Sequence, residues 1–420
     1  MRCIICLLTL AAASSSFGQA PPMTLPPSIL GKTAPQNVTP AVAVVAKSPP
    51  IARYPNLANV APETAQAVLG MRTGAEWLAR RQLAHGKFLF GVNPTLRTPL
   101  EGDTEFRQAI ATWAVCQAAA FTFDEKLTAC GGQAILTLLA QTKDDPTDAT
   151  VRMPTISAGS GDAVGFAACL VLAIEALPSA DAKLLNEAEK LANFLRKQIR
   201  ADGGVNCGDA NDPDAVNVYP GLLLQALALN ARRKPAAGKY EAIAKGLGYH
   251  RAAFRAKPHP SLAGTILPAA VEVYIDTRSA DVAAIAMEMG DWLCNAQLGK
   301  TDPHLVLLAG GFRTSSTIEP SFETAHALRG LAAATHLSRQ IPDPARYAKY
   351  RPATVEAIRF MRGLQYTADN TMHFTGEFRS QYLIGGVRTG MNDGNIRSDA
   401  TALSLVAFQR FLESGADGRE

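Results

Sequence analysis

Little in this sequence is suited to nucleic acid, a metal ion or a bilayer. Its 420 residues carry a formal charge of only +4, without the basic excess that phosphate backbones or anionic lipid surfaces select. His and Cys residues show no zinc spacing, no Ser sits in a nucleophile elbow, and no helix carries an aspartate-rich segment. The run Asp202-Gly-Gly-Val-Asn-Cys-Gly-Asp209 lacks the ligand order and terminal Glu of a calcium loop. No metal or other cofactor is therefore expected. Aromatic residues make up 7% of the chain, a modest supply for stacking on sugar rings. Alternating β-branched runs are missing too, so no strand pattern competes with helix. Beyond residue 20 the cysteines are Cys116, Cys130, Cys169, Cys207 and Cys294. They form no CxxC pair, and an odd number cannot all pair internally, so they are read mainly as small core residues, with at most one disulfide.

The one long apolar run opens the chain. Met1 and Arg2 precede Cys3 to Ala13 and then the small residues Ser14, Ser15, Ser16 and Gly18. That is the order of an export signal, with cleavage expected near residue 20. The run is too short to span a bilayer and no later one is long enough. A secreted or periplasmic protein is expected, with no membrane insertion after cleavage. Pro21 to Pro55 hold nine prolines among Ala, Val, Thr and Ser, a composition that cannot sustain a helix and offers little to a core. Residues 1–20 are thus assigned to a signal peptide, 21–60 to a Pro-rich disordered linker and 61–415 to one folded domain.

From about Ala61, apolar residues recur at spacings of three and four, punctuated by Gly, Pro, Asn and Asp. Twelve helices are predicted, near 63–83, 104–122, 124–141, 162–177, 180–200, 213–232, 238–255, 259–276, 279–297, 319–339, 344–365 and 397–413. They alternate in character. The odd-numbered ones are amphipathic, and four end alike, in Trp77 to Gln82, Phe194 to Gln198, Trp292 to Gln297 and Phe360 to Gln365. The even-numbered ones are apolar nearly all round, and such a helix is buried. The even helices should therefore form an inner ring and the odd helices an outer one. Gly310-Gly-Phe-Arg-Thr314 with Ala325-His-Ala-Leu328 recurs, ungapped, as Gly385-Gly-Val-Arg-Thr389 with Ala400-Thr-Ala-Leu403. This marks a unit of one hairpin and one long loop. Connections 84–103, 142–161, 201–212, 298–318 and 366–396 are long and lie on one rim, above the N-termini of inner helices. Long loops in a compact domain are usually functional.

This all-α pattern resembles the (α/α)6 toroids, a superfold that includes N-acylglucosamine 2-epimerases, unsaturated glucuronyl hydrolases, many glycosidases, alginate-type lyases and the terpenoid cyclases. The resemblance spans roughly residues 62–415. It narrows to secreted epimerase-like proteins in Glu105-Phe-Arg-Gln-Ala109, in Val218-Tyr-Pro-Gly221, and in Gly385-Gly-Val-Arg388 followed by Asp393, Arg397 and Asp399. It implies a single closed toroid of six helical hairpins with a sugar ligand in its cavity. Leu222 and Pro260 depart from the pattern, standing where those relatives tend to carry an acid and an aromatic residue.

Polar residues at the inner-helix N-termini are where such a ring meets a ligand. Asp399, and the pair Glu323 and His326 one turn apart, are the expected catalytic acid/base groups. Arg388, Arg397 and Arg313, with Asp393, Arg107, Tyr219 and His259, are the expected substrate-binding residues, because guanidinium groups and oriented backbone N–H groups hold anions. Arg97 adds to the excess of Arg on this rim. A bland alternative stands beside each residue: a helix cap, an ion pair or a solvated loop charge.

The expected function is a secreted carbohydrate-active protein that binds or converts a sugar, including an acidic one, as an epimerase, hydrolase or lyase. Its partner would be a small molecule or oligosaccharide, not nucleic acid. A non-catalytic envelope binder or scaffold is the second reading, favoured by Leu222 and Pro260. A terpenoid-cyclase-like protein is a third, prompted by the Phe/Trp-to-Gln helix endings.

Overall fold

Caps and turn residues set the helices where the apolar periodicity places them. The computed structural model describes residues 50–156, 163–209, 211–236, 238–299, 303–315 and 319–416. The expected leader, most of the expected linker and the Gly159–Gly161 segment lie outside these. The long helices are α1 (Pro62–Arg80), α2 (Glu105–Thr122), α3 (Glu125–Leu139), α4 (Ala163–Ala176), α5 (Ala182–Lys197), α6 (Tyr219–Arg233), α7 (Lys239–Ala256), α8 (Pro260–Thr277), α9 (Ala280–Ala296), α10 (Thr324–Gln340), α11 (Pro344–Leu364) and α12 (Ser398–Glu413). Side chains of Thr104, Asp124, Asp181, Ser279 and Asp343 accept from first-turn N–H groups, each satisfying donors that the helix leaves open.

The even helices pack in the order α2, α4, α6, α8, α10, α12, and α12 returns to α2. Each odd helix lies outside, against the even partner of its own hairpin or its neighbour. Burial follows the same division. In α8 every residue from Pro260 to Val273 is buried, whereas α5 buries only Ala188, Leu191, Ala192 and Leu195. The result is a closed ring of six hairpins. All five cysteines of the ring are unbridged, and Cys116, Cys130 and Cys169 are buried as core residues.

Three of the four shared Gln endings of outer helices act as latches, while Gln198 turns back to Phe194 O at 3.4 Å in its own helix. Gln365 donates from Nε2 to Gly70 O at 3.1 Å and to Gly385 O at 2.7 Å. Gln297 does the same to Ala353 O at 2.8 Å and Gly310 O at 3.1 Å. Gln82 reaches Cys130 O at 2.9 Å and Gly86 O at 3.1 Å. In each case a glycine with positive φ follows, and its backbone presses on the next outer helix. A Cβ at Gly385 (φ +99°) would stand 2.1 Å from Thr73 O in α1, and one at Gly310 (φ +86°) 2.1 Å from Glu356 O in α11. Only glycine fits such a left-handed, close-packed turn. The sequence repeat at 310 and 385 is thus a joint between successive hairpins.

The structure departs from expectation in four places. Residues 142–154 form an antiparallel hairpin, β3 (Thr142–Asp145) with β4 (Asp148–Pro154). Charged links to α5 hold it, Arg152–Glu187 at 3.0 Å, Lys190–Asp144 at 3.1 Å and Lys197–Asp148 at 2.9 Å, so hydrophobic patterning gave no signal. The helix expected over 213–232 breaks at Val218, which has non-helical φ and ψ, leaving the single turn Pro213–Asn217 ahead of α6. Pro220 has no N–H with which to continue the turn. The helix expected from 319 begins at Thr324, because Pro320 precedes it and Ser321 bridges to Gly390. Finally, Tyr54 is buried against Phe121, and its hydroxyl lies 3.4 Å from Leu412 O. The packed chain therefore begins some residues before 60. Three short strands, β1 (Gly91–Asn93), β2 (Thr98–Pro99) and β5 (Ile396–Arg397), run in the order β2-β1-β5 along the rim.

Candidate functional site

The inner helices bring their first turns to the rim that carries the long loops. Pairing of Gly91 with Arg397 keeps the chain extended up to the residue before α12, and this aims Arg397 back across the helix start. Arg397 donates from Nε to Asp399 Oδ1 at 2.9 Å and from Nη2 to Asp399 Oδ2, a bidentate pair. Arg107, in the first turn of α2, lays its Nε 3.3 Å from the same Oδ2. Asp399 Oδ1 also lies 2.9 Å from the Ala400 N–H. Asp399 is buried, while both guanidiniums are half-buried. Both also lie over the Phe90 ring, at 5.1 Å for Arg107 and 5.3 Å for Arg397, and Arg397 lies 5.1 Å from the Phe322 centroid. Cation–π contact of this kind fixes a guanidinium without neutralising it.

Two further carboxyls face this group. Glu323 is the residue ahead of α10, and Asp214 lies in the Pro213–Asn217 turn. Neither side chain has a hydrogen-bond or ion-pair partner among the described residues. Burial pushes Glu323 up, Arg397 opposes this and Asp399 adds to it, and the net shift is upward. Burial also raises Asp214, helped by the charges of Asp212, Glu323 and Asp399 and opposed by Arg107, and it stands at about 6. Asp214 is exposed to solvent on one side, and the protein around the rest of it supplies the desolvation. The same interactions place Asp214, Glu323, Arg107 and Asp399 within electrostatic reach of one another, although they come from four stretches of chain.

Two histidines stand beside this group. His259 caps α8, its Nδ1 accepting from the Ser261 N–H at 3.2 Å. Burial lowers it, against a hydrogen bond with the Thr314 backbone. His326 is buried in α10; burial, Arg329 and His259 push it down to about 3, so it is neutral throughout the physiological range. Tyr219 is a buried wall residue, packed edge-on against Phe106 at 4.9 Å. Gly165 of α4 makes room for it, since a Cβ there would meet the Tyr219 ring at 2.5 Å.

Of the residues expected at the site, Asp399, Arg397, Arg107 and Glu323 converge. Others do not. Arg388 turns to the end of α11, where it donates to Gly363 O at 2.6 Å, with Leu364 O and Met391 O at 3.4 and 3.5 Å. The last carbonyls of a helix are unsatisfied and carry its negative pole, which attracts a guanidinium. Asp393 staples its own loop, accepting from the Thr389 hydroxyl and from the Asn395 N–H at 3.0 Å. The side chains of Glu323 and His326 form no hydrogen bond with each other; Glu323 is the cap residue ahead of α10, and what joins the pair is the His326 N–H donating to Glu323 O at 3.0 Å. Arg313 is half-buried and makes no described ion pair with the Asp399 group. Asp214 was missed as a site residue. Its signal was the pair of prolines, Pro213 and Pro220, which sets a helical turn apart from α6 and projects an acid from it. Among the described residues, no group of three or more His, Cys, Asp or Glu could hold a metal ion.

No protein-family model matches the sequence, and no curated protein matches it significantly. Solved structures do match the fold. The unsaturated glucuronyl hydrolase of Bacillus sp. GL1 superposes with a TM-score of 0.58 at 12% identity, over 82% of this chain and 96% of that one. The cellobiose 2-epimerase of Spirochaeta thermophila DSM 6192 gives 0.56 at 14%, over 84% and 96%. An inactive α-1,6-mannanase variant of Salegentibacter sp. HEL1_6, in complex with α-1,6-mannotetrose, gives 0.55 at 10%, over 84% and 100%. The fold is the (α/α)6 toroid. At these identities the likeness is one of architecture, and function has to be argued from the site.

Proposed function

We propose that the toroid mouth binds a saccharide and transfers protons to or from it, with Asp214 and Glu323 as the acid/base groups. The observation that carries this reading is that both carboxyls are unpartnered, solvent-reached and raised in pKa, facing a fixed pair of guanidiniums. A carboxyl with a pKa near the working pH is the kind that donates and recovers a proton efficiently. Asp399, with its oxygens engaged by Arg397, Arg107 and the Ala400 N–H, acts as the anchor that aims the two guanidiniums. Those guanidiniums, beside inner-helix N-termini, would receive a substrate carboxylate or an oxygen that gains negative charge. Sugar-processing toroids such as the hydrolase, epimerase and mannanase above support a carbohydrate ligand by analogy of fold.

The competing reading, a binder without turnover, has one observation in its favour. Leu222 is buried among the inner helices and brings no acid to the mouth. The test is a ligand screen of the purified protein with neutral and acidic oligosaccharides, read by thermal midpoint and then by product analysis. A ligand that binds only the folded state raises the midpoint by mass action. A shift in wild type that Glu323→Gln leaves intact, while product formation falls at least about tenfold, supports catalysis. Binding without any product in wild type supports the binder.

A further inference from the structure

A cavity of about 400 Å³, whose lining includes Arg81, Val92, Arg97, Pro99, Phe378 and Tyr382, lies on the same rim and contains none of the mouth carboxyls. That volume is within the range of pockets that hold small molecules, about 300–1,000 Å³. Its lining includes a stacked aromatic pair, with the Phe378 and Tyr382 centroids 5.2 Å apart and their planes inclined by 21°. The Trp77 indole N–H donates to Tyr382 O at 2.7 Å and fixes the pair to α1. Two guanidiniums lie over these rings, Arg81 at 4.7 Å from Tyr382 and Arg97 at 5.0 Å from Phe378. Neither has a carboxylate partner among the described residues. Surface arginines elsewhere in the ring are commonly paired, as Arg232, Arg233, Arg251, Arg255 and Arg346 are.

Arg97 carries a second signal. It ends the turn between β1 and β2 with φ +56°, a left-handed conformation that favours Gly or Asn and costs a longer side chain about 1 kcal/mol or more. A residue kept there against its backbone preference points to a use for its side chain. We infer that this cavity is an accessory subsite for a saccharide ring bearing an anionic group, with the ring set against the apolar wall of Phe378, Tyr382, Val92 and Pro99 and the anion held by Arg97 and Arg81. The apolar wall of Phe378, Tyr382, Val92 and Pro99 suits the C–H side of a sugar, and two unneutralised guanidiniums select carboxylate or sulfate over hydroxyl. The inference does not depend on turnover at the mouth, since it involves neither Asp214 nor Glu323.

The test is calorimetric titration of the full-length protein with trigalacturonate, its methyl ester and a sulfated disaccharide, in wild type, Arg97→Asn, Arg81→Gln and Arg346→Gln. Asn keeps the left-handed turn and removes the charge, so Arg97→Asn should hold or raise the thermal midpoint while weakening trigalacturonate binding by about tenfold or more. Arg81→Gln should weaken it similarly, Arg346→Gln, at the start of α11 and outside both sites, should not, and the methyl ester should bind far less than the acid. The sulfated probe separates the two anion types. A subsite for uronates alone leaves the sulfated probe unbound, and one for either anion binds it with the same loss in Arg97→Asn. The inference is overturned if wild type binds neither anionic probe, if the methyl ester binds as well as the acid, or if both Arg variants bind like wild type.

Discussion

Replacing Asp399 with Ala tests whether this residue is an anchor. The substitution removes a carboxylate that accepts the bidentate Arg397 pair, including Nε at 2.9 Å, and that meets Arg107 Nε at 3.3 Å. Hydrogen bonds to charged groups contribute about 1.5–3 kcal/mol each to stability. Breaking a fully buried pair costs about 3–5 kcal/mol. The guanidiniums here are 23% and 30% exposed, so water takes over part of the loss and about 2–3 kcal/mol is expected. For a folded unit spanning Ser48–Glu420, the unfolding entropy is about 0.8 kcal/mol/K. The thermal midpoint should therefore fall by about 3–4 °C. The assay is urea and thermal denaturation, followed by the same substitution in an Arg107→Met, Arg397→Met background. There the loss should shrink by at least about 1 kcal/mol, because the partners it would strand are gone. A loss below about 0.5 kcal/mol in the wild-type background, or an unchanged loss in the double-Met background, would refute the anchoring role.

On the opposite side of the ring core, Glu272 pairs with Arg232 at 2.9 Å and Arg410 at 3.0 Å. Burial raises its pKa, but the Arg410 and Arg232 charges outweigh this and hold it below the usual carboxylate value. Its contribution is therefore present above the unfolded carboxyl pKa and lost as pH falls through the lower folded value. Glu272→Ala should cost about 3–5 kcal/mol at pH 7 and much less at pH 3, by urea denaturation at both. Gly385→Ala should cost at least about 3 kcal/mol through left-handed strain and overlap with Thr73 O. Gly363→Ala, inside α11 with open space at its Cβ, should instead stabilise by up to about 1 kcal/mol; an equal effect of the two would contradict the latch.

Architecture was legible because it is written in periodicity. The contrast between α5, apolar on one stripe, and α8, apolar all round, is a direct statement of which helix faces solvent. The repeated Gly-Gly-x-Arg-Thr was visible too, but its meaning was not. The sequence pairs Arg313 with Arg388, and nothing in it says that Arg388 turns outward to the carbonyls of α11. Site residues were legible where helix position alone decides them, as for Asp399 and Arg107 in first turns and Arg397 just before one. Asp214 was hidden because a break in a helix decides it, at Val218 before α6, while the break at Pro320 before α10 moves the expected Glu323 out of the helix. Those breaks free Asp214 and Glu323 from the helix surface, and this separates the unpaired acids from the paired one. The β3–β4 hairpin stayed hidden for a related reason: salt links rather than an apolar stripe hold it to α5.

The central claim is that Asp214 works as a proton donor at the mouth. The most direct measurement is the pH dependence of turnover, kcat/KM from pH 4 to 9, on the saccharide found by screening, for wild type and Asp214→Asn. Burial and the neighbouring carboxylates raise Asp214 to about 6, so it is protonated below that pH and loses its proton above it. Raised above the unfolded carboxyl value, it also costs stability as pH rises through that window. Wild-type kcat/KM should fall with an apparent pKa near 6. Asp214→Asn should be at least about a hundredfold slower, lack that limb, and be no less stable than wild type at pH 7. A variant that keeps both the rate and the limb would contradict the account.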